Sequence, residues 1–187
     1  MKSSVISLIV IVAVVALCGI WVASAYNGII ALDEQVAANF AQIDNQLKRR
    51  VDTIPDLIKL VNKYAAHEKE VIDSVSNARA KLAGATTIEE KTQANASLDS
   101  AVSRLLAISE NYPDLKANQE YSKLMDEMAG TENRIAVARR DYNESVKEYN
   151  VKIKTFPTVL IKGLAGAEEK SFFEIEESER EKPDYEI

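Results

Sequence analysis

A seven-residue repeat of large apolar residues in the second half of the chain restricts the fold more than any other feature. From Gln119 onward, one series of such residues recurs at every seventh position, and a second series follows it at a spacing of three or four. The two series consist of Tyr121, Met128, Ile135, Tyr142, Tyr149 and Phe156, and of Leu124, Ala138, Val146 and Ile153. A helix of 3.6 residues per turn drifts in this way against a strict repeat of seven. The pattern predicts one long amphipathic helix whose apolar stripe needs partner helices to cover it.

Three amphipathic segments precede this helix and can supply the partners. They cover residues 27–51, residues 56–83 and a stretch from Thr86 to about Asn111, where Thr86 and Thr87 with Glu89 and Glu90 form capping boxes. Pro55 is expected to end or kink the first segment, because proline lacks a backbone N–H and restricts the residue before it. Gly84 is a typical end for the second segment. The fold class is therefore all-α, an antiparallel up-and-down bundle of four long helices.

An uncharged apolar run, Val5–Ala25, precedes the bundle. As a helix its 21 residues span roughly 30 Å, the thickness of a hydrocarbon core. Ala23-Ser24-Ala25 also fits a signal-peptidase site, but the run exceeds the usual length of a signal peptide's apolar region, which favours an uncleaved anchor. Lys2 precedes the run, and Asp33 and Glu34 are the first charges after it, so the positive-inside rule predicts a cytoplasmic N-terminus and an extracytoplasmic bundle.

The charge distribution divides the chain into three parts. We expect a transmembrane anchor over residues 1–26, a four-helix bundle domain over residues 27–173 and an acidic disordered tail over residues 174–187. The tail holds seven acids and two bases, and so carries −5 of the net charge of −6. The remaining chain is nearly neutral, and it has no broad basic face of the kind that binds nucleic acid.

Residues that could carry catalysis are scarce. The chain has one His and one Cys, and His67-Glu68 begins a zinc-protease motif that fails because Val71 stands where the second His is required. The sequence contains neither a Gly-rich phosphate loop nor a nucleophile elbow. We therefore predict no enzymatic activity, no catalytic residue, no cofactor and no metal site.

Charged and amide side chains lie on or beside the apolar stripes. Glu68 could meet Arg134 or Arg139 across the bundle. The candidate network consists of Glu68, Glu132, Asn133, Arg134, Arg139 and Arg140, with Arg79 nearby. One interpretation is a buried ion-pair network that fixes helix register, and the other is a site for an anion or a peptide between helices. The cluster at residues 48–50, Lys-Arg-Arg, is interpreted as cations at a helix C-terminus or as a contact to lipid headgroups or an acidic partner.

Several blocks of the chain, in order, resemble the LemA family of bacterial membrane proteins. The blocks are Tyr26-Asn27, DNQLKRR at residues 44–50, IPDL at 54–57, ENYPDLKAN at 110–118, TENRIA at 131–136, ARR at 138–140, Tyr142-Asn143, Phe156-Pro157 and FFE at 172–174. The family often has Ala-Trp where Asn39-Phe40 stands and Gly-Phe where Gly166-Ala167 stands. The resemblance implies a single N-terminal transmembrane helix followed by a helical bundle, and it implies no particular biochemical activity.

These observations together indicate a single-pass protein of the bacterial inner membrane. The expected function is that of a membrane-anchored helical scaffold or adaptor acting by protein–protein contacts. The alternative is an envelope-stress or ligand-sensing component that uses the Glu and Arg residues between helices. The expected partners are the lipid bilayer, membrane or envelope proteins and other copies of the chain, and nucleic acid is not among them.

Overall fold

The computed structural model describes residues 2–173 of the chain, and over this range it is helical without β-strands. The α-helices are α1 (Lys2–Tyr64), α2 (Lys69–Gly84), α3 (Ile88–Ser109), α4 (Pro113–Lys116) and α5 (Gln119–Lys154), followed by a 3₁₀ helix at Thr158–Leu160. The all-α prediction is confirmed. The predicted acidic tail lies outside the described residues.

Helix α1 continues without interruption from the apolar run into the amphipathic segment that follows it. Its N-terminal part is long and apolar enough to cross a membrane, and the most apolar stretch has no buried residue. Apolar side chains from Val5 to Ile20 are exposed. Such a surface is stable next to lipid and unfavourable next to water.

The chain forms two compact units. The first consists of residues 1–39 and 143–171, and the second of residues 40–142 together with the segment that begins at Phe172. In the second unit, residues 40–64 of α1, the helices α2 and α3, and residues 119–142 of α5 form a four-helix bundle.

The apolar stripe of α5 forms part of the bundle core, as predicted. Tyr121, Met128, Ile135 and Tyr142 are all buried, and the Tyr142 ring lies 5.9 Å from the ring of Phe40 on α1. On α3, Ala94, Leu98, Ala101 and Leu105 recur at a spacing of three or four residues, and all four are buried. Covering these stripes removes a large apolar area from water, which is the main driving force for association of the helices.

The expectation that Pro55 ends the helix is wrong, because α1 runs through it to Tyr64. A proline inside a helix costs about 3 kcal/mol. However, Ile54 and Leu57 on either side of it are completely buried, and burying one such side chain contributes about 1.5–3 kcal/mol. Packing on both sides of the proline therefore outweighs the local cost.

The carbonyl that Pro55 leaves without a donor is satisfied from another helix. In an α-helix the N–H of residue 55 would donate to the carbonyl of Val51, and proline has no N–H. Arg79 on α2 supplies the missing donor, with its Nε atom 2.8 Å from the Val51 oxygen. This bond joins α1 to α2 at the position where the helix ladder is broken.

The chain turns at residues 65–68 instead of at Pro55. A continuous helix from residue 56 to residue 83 would place Tyr64 and Val71 on the buried stripe. Tyr64 is 37% exposed, and Ile72 is buried in place of Val71. The turn shifts the helical phase, so a stripe extrapolated through it selects the wrong neighbour.

The junction between α2 and α3 agrees with its sequence. Helix α2 ends at Gly84, and Thr87 begins α3 with a reciprocal capping box in which its Oγ1 accepts from the N–H of Glu90. The Glu90 carboxylate accepts hydrogen bonds from the N–H groups of Thr86 and Thr87, which lower the pKa of Glu90. Because the folded state favours the ionised carboxylate, this contribution to stability is present at neutral pH and is lost on acidification through the lowered pKa.

In the first unit, the segment after α5 returns along the helices. The side-chain amide of Asn150 accepts from the N–H of Lys170 (3.0 Å) and donates to its carbonyl (2.8 Å). The Lys170 ammonium forms an ion pair with Asp33 and lies 5.3 Å from the centre of the Tyr149 ring. The heptad stripe remains buried at Tyr149, but Phe156, its sixth predicted member, is 75% exposed. Helix α5 ends at Lys154, and the stripe ends with it.

We predict that Arg79→Ala destabilises the full-length protein by about 1–2 kcal/mol, because the Val51 carbonyl loses its donor. Pro55→Ala restores an N–H that can donate to the same carbonyl, so Arg79→Ala should cost less in that background. Thermal unfolding of the four variants in detergent, followed by circular dichroism, measures this coupling as a double-mutant cycle.

Lys81→Ala is the matched control, because Lys81 is an exposed cation on the same helix. It should change the free energy of unfolding by no more than about 0.5 kcal/mol in either background. An equal cost of Arg79→Ala with and without Pro55 would contradict the assignment of Arg79 as the substitute donor.

Candidate functional site

A buried arginine lies at the centre of the bundle in the second unit. Arg50 on α1 is only 5% exposed. Its Nη1 atom donates to Asn95 Oδ1 on α3 (2.9 Å) and to Glu132 Oε2 on α5 (2.7 Å), and its Nη2 atom forms an ion pair with Asp99. Asn95 is completely buried and also donates to Asp99 at 2.9 Å. One guanidinium thus joins three of the four helices.

The charges of this cluster explain how an arginine is tolerated in the core. A buried cation is costly unless it is paired and hydrogen-bonded. The side chains of Asp99 and Glu132 are 27% and 43% exposed, so both carboxylates keep contact with water while they neutralise Arg50. The Nε atom of Arg50 is buried and has no hydrogen-bond partner. The planar guanidinium fixes the register of α1, α3 and α5 through directional bonds.

Residues of α1 that precede Arg50 make further polar contacts with α5 on one side and with α3 on the other. Arg49 donates to Glu127 at 3.1 Å, and Arg134 donates to Gln46 at 3.2 Å. On the α3 side, the Lys91 ammonium pairs with Asp44 and lies 5.1 Å from the centre of a phenylalanine ring on α1. Along α5 the partner numbers rise as those along α1 fall, so the two helices run antiparallel in this unit, as predicted.

A cavity of about 370 Å³ opens beside these contacts, between α1, α2 and the start of α3. It is lined by Asp44, Leu47, Lys48, Val51, Asp52, Arg79, Leu82, Ala83, Ala85 and Lys91. The lining holds three cations, two carboxylates and several apolar side chains, and one of the cations, Lys91, is paired with Asp44. Arg79 is held there by its Nε bond to Val51. A guanidinium fixed at Nε still has its Nη atoms available for a carboxylate or phosphate.

A second, more open groove of about 670 Å³ runs along α2 and α3. Short polar and small side chains line most of it, with Lys81 and Arg104 as the cations. The groove presents hydrogen-bonding groups on two exposed helix faces.

The structure places the six residues of the predicted network in different settings within the second unit. Glu132 belongs to the Arg50 cluster. Glu68 lies in the turn before α2 and accepts a hydrogen bond from the hydroxyl of Tyr112 at 3.0 Å. This bond to Glu68 raises the pKa of Tyr112. Asn133 lies exposed on α5. The expected meeting of Glu68 with Arg134 or Arg139 is replaced by the bond to Tyr112.

The three arginines of the predicted network also have separate contacts. Arg134 is exposed and bonds Gln46 and Thr131. The guanidinium of Arg139 lies 4.8 Å from the ring centre of Phe173, which is buried, and its Nε atom is buried without a hydrogen bond. Arg140 is exposed and pairs with the adjacent Asp141. A cation over an aromatic face is favourable, so Arg139 helps to hold Phe173 on the bundle.

The polar contacts described above are ion pairs, hydrogen bonds and cation–aromatic contacts. Among residues 2–173, no group of three or more His, Cys, Asp or Glu side chains is arranged to hold a metal ion. His67 is exposed in the turn before α2, and Cys18 is exposed on the apolar run of α1.

The role of Arg50, Asn95 and Asp99 was not predicted from the sequence. Arg50 lies seven residues after Ile43 and three after Leu47, both of them buried. A charged residue at this spacing on an apolar stripe was the available signal. Its interpretation as a cation at a helix end depended on a break at Pro55, and α1 does not end there.

Comparison with known proteins gives one family match and several similar proteins. The family model described as the LemA family matches residues 39–186. Magnetosome protein MamQ 1 of Paramagnetospirillum magneticum is 24% identical over 175 aligned residues, which cover 80% of this chain and 64% of that protein. Magnetosome protein MamQ of Magnetospirillum gryphiswaldense is 24% identical over 174 residues, covering 79% and 64%. Protein LemA of Metamycoplasma hominis is 29% identical over 154 residues, covering 78% and 66%.

The chain spans about two thirds of the length of these curated relatives. None of their names denotes an enzymatic activity. The match covers both the bundle and the residues of the Arg50 cluster, all of which lie within residues 39–186.

We predict that Arg50→Ala destabilises the full-length protein by about 3 kcal/mol, because it removes the cation that pairs with Asp99 and Glu132 and leaves the buried Asn95 Oδ1 atom without its donor. Glu132→Gln should cost only about 1 kcal/mol, since Arg50 keeps its ion pair with Asp99. Thermal unfolding in detergent, monitored by circular dichroism, measures both changes.

Arg140→Ala serves as the matched control, because it removes an arginine whose side chain is 70% exposed. Its effect should remain within about 0.5 kcal/mol. If Arg50→Ala is no more destabilising than Arg140→Ala, the buried cluster does not hold the helices together.

Proposed function

The chain belongs to the LemA family, and we propose that it is a membrane-anchored helical scaffold that acts through contacts with other proteins and without catalysis. In this proposal the bundle lies on the extracytoplasmic side of the inner membrane. Its partners are membrane or envelope proteins, or further copies of the chain.

The observation that carries the proposal is the continuity of α1. One helix provides the apolar run at its N-terminal end and a helix of the four-helix bundle at the other. A bundle that shares a helix with a membrane anchor is attached to the membrane through regular structure. This arrangement suits a protein that presents a surface to partners near the bilayer.

The use of the polar residues also supports a scaffold. Arg50, Arg79 and Arg139 bind Glu132, a backbone carbonyl and an aromatic ring, respectively. Each of these contacts joins two segments of the bundle. Polar groups used in this way specify one arrangement of the helices. The preceding Lys2 and the following Asp33 and Glu34 favour the extracytoplasmic side by the positive-inside rule.

A single cysteine tests both the position and the mode of action. Ser97→Cys, in a Cys18→Ser background, places a thiol on the exposed face of α3 beside the α2–α3 groove. A membrane-impermeant photoactivatable maleimide is applied to cells whose outer layers have been made permeable while the inner membrane remains intact. We expect labelling from outside and, after illumination, covalent adducts with a defined set of proteins or with a second copy.

Ser103→Cys is the control, because Ser103 is an exposed serine on a different face of α3. It should be labelled equally well but give a different or weaker set of adducts. Labelling at Ser97 only after lysis would contradict the extracytoplasmic position. Efficient labelling without any protein adduct at either position would contradict the scaffold.

The cavity beside Arg79 favours a second candidate, the sensing of a small anion. Lys48, Arg79 and Lys91 supply cations, and the volume of about 370 Å³ suits a small molecule. A carboxylate or phosphate is the ligand that a fixed guanidinium binds best.

A thermal-shift titration of the full-length protein with succinate and with inorganic phosphate tests this candidate. A ligand that binds only the folded state raises the midpoint of unfolding with its concentration. The increase should be lost in Lys48→Glu and retained in Lys147→Glu, which reverses an exposed charge outside the cavity. The absence of any increase in the unmodified protein would contradict sensing of these anions.

A further inference from the structure

The turn that follows α5 in the first unit exposes three large apolar side chains. Phe156, Leu160 and Leu164 are 75%, 71% and 73% exposed, whereas Thr158 and Ile161 between them are buried. We propose that these three residues, the 156–164 face, insert into the surface of the same lipid bilayer that the apolar run of α1 enters. The face would be a second membrane contact in addition to the anchor.

The three exposed side chains lie in a segment with regular backbone hydrogen bonds. Backbone hydrogen bonds join the N–H of Leu160 to the carbonyl of Pro157, that of Ile161 to Thr158 and that of Leu164 to Ile161, at 2.9–3.1 Å. Thr158 and Ile161 occupy the packed side of the turn, so the three apolar side chains are directed away from it. Soluble proteins seldom expose groups of large apolar residues, and such groups mark sites of contact with another protein, a ligand or a membrane.

The position of the turn along α1 identifies the bilayer as the occupant. Lys170 contacts both Asp33 on α1 and Tyr149 on α5, and a Cβ atom at Gly28 would lie 3.8 Å from Lys152 Cε. Tyr149 on α5 is thus at the level of Asp33 on α1, and Lys152 is at the level of Gly28. Because the numbers rise along α5 as they fall along α1, the two helices run antiparallel in this unit. Helix α5 continues for two residues beyond Lys152, or about 3 Å of helical rise, and Phe156 follows two residues after its end. The turn thus reaches the level of the end of the apolar run.

The burial of residues along α1 also indicates that the turn after α5 lies at the level of the end of the apolar run. Residues 5–20 of the apolar run are exposed, but Ala25, its last residue, is 8% exposed and Ile29 is 1% exposed. Within the first unit, α1 is therefore covered by other residues from the end of the run onward. The turn after α5 comes at the level where the exposed segment of α1 gives way to the covered segment.

The residues around this boundary have the chemistry of a membrane interface. Trp21 and Tyr26 are partly exposed on α1, and such rings are enriched at the level of lipid headgroups. Lys152, before the 156–164 face, and Lys162, between Leu160 and Leu164, are both exposed, and their ammonium groups can meet lipid phosphates. Apolar side chains interspersed with lysines are typical of segments that lie in the interface.

The depth of residue 160 in a bilayer is the direct test. Leu160→Cys in a Cys18→Ser background is labelled with an environment-sensitive fluorophore, and the full-length protein is reconstituted into vesicles of phosphatidylethanolamine and phosphatidylglycerol. We expect several-fold stronger quenching by a lipid that carries a spin label near its headgroup than in the control Lys147→Cys, an exposed position on α5. Aqueous iodide should quench the two positions in the opposite order.

Equal quenching of both positions by iodide, with no lipid quenching at residue 160, would overturn the proposal. Protection from both quenchers that increases with protein density in the membrane would also overturn it, in favour of a second copy as the occupant. As a control for folding, the circular dichroism spectrum of each labelled variant must match that of the Cys18→Ser protein. If Leu160→Cys fails this condition, Leu164→Cys takes its place and is subject to the same two outcomes.

Discussion

The bundle depends on one buried guanidinium. Arg50 on α1 bonds Asn95 and Asp99 on α3 and Glu132 on α5. Apolar stripes alone allow helices to slide past each other by a turn at modest cost, because one buried aliphatic side chain resembles another. Directional bonds from a planar group do not allow this, since a shift of one turn would leave a buried cation without partners. The arginine therefore selects one register among those that the apolar core would accept.

The break in the helix ladder at Pro55 is resolved by the same kind of group. Burial of Ile54 and Leu57 keeps the helix intact across the proline, but packing cannot satisfy the carbonyl of Val51. Arg79 does so from α2. The proline thus creates an acceptor that a neighbouring helix can recognise. Helix α2 thereby gains a specific bond to α1 at a defined position.

Periodicity predicted the helices because the need to cover apolar stripes acts along the whole chain. The stripe of α5 from Tyr121 to Tyr149 is buried as the repeat requires, and Thr87 caps α3 as its sequence requires. Local rules failed where tertiary packing decided between alternatives. Pro55 should end a helix by its own preference, and the turn at residues 65–68 carries no strong breaker in the sequence. The partners of Arg50 lie 45 or more residues away along the chain, and no local pattern identifies them.

Arg50 and Phe156 depart from the apolar pattern in opposite senses, and each departure has a physical reason. Arg50 occupies a core position because carboxylates that remain in contact with water surround it. Phe156 continues the heptad series of α5 in sequence but lies beyond the end of the helix at Lys154. Outside the helix, a spacing of seven residues no longer places a side chain on the same face. A polar group in a core requires partners inside the protein. An apolar group outside a core requires an apolar surface outside the protein, and the first unit also contains the exposed apolar run of α1, which is long enough to cross a membrane.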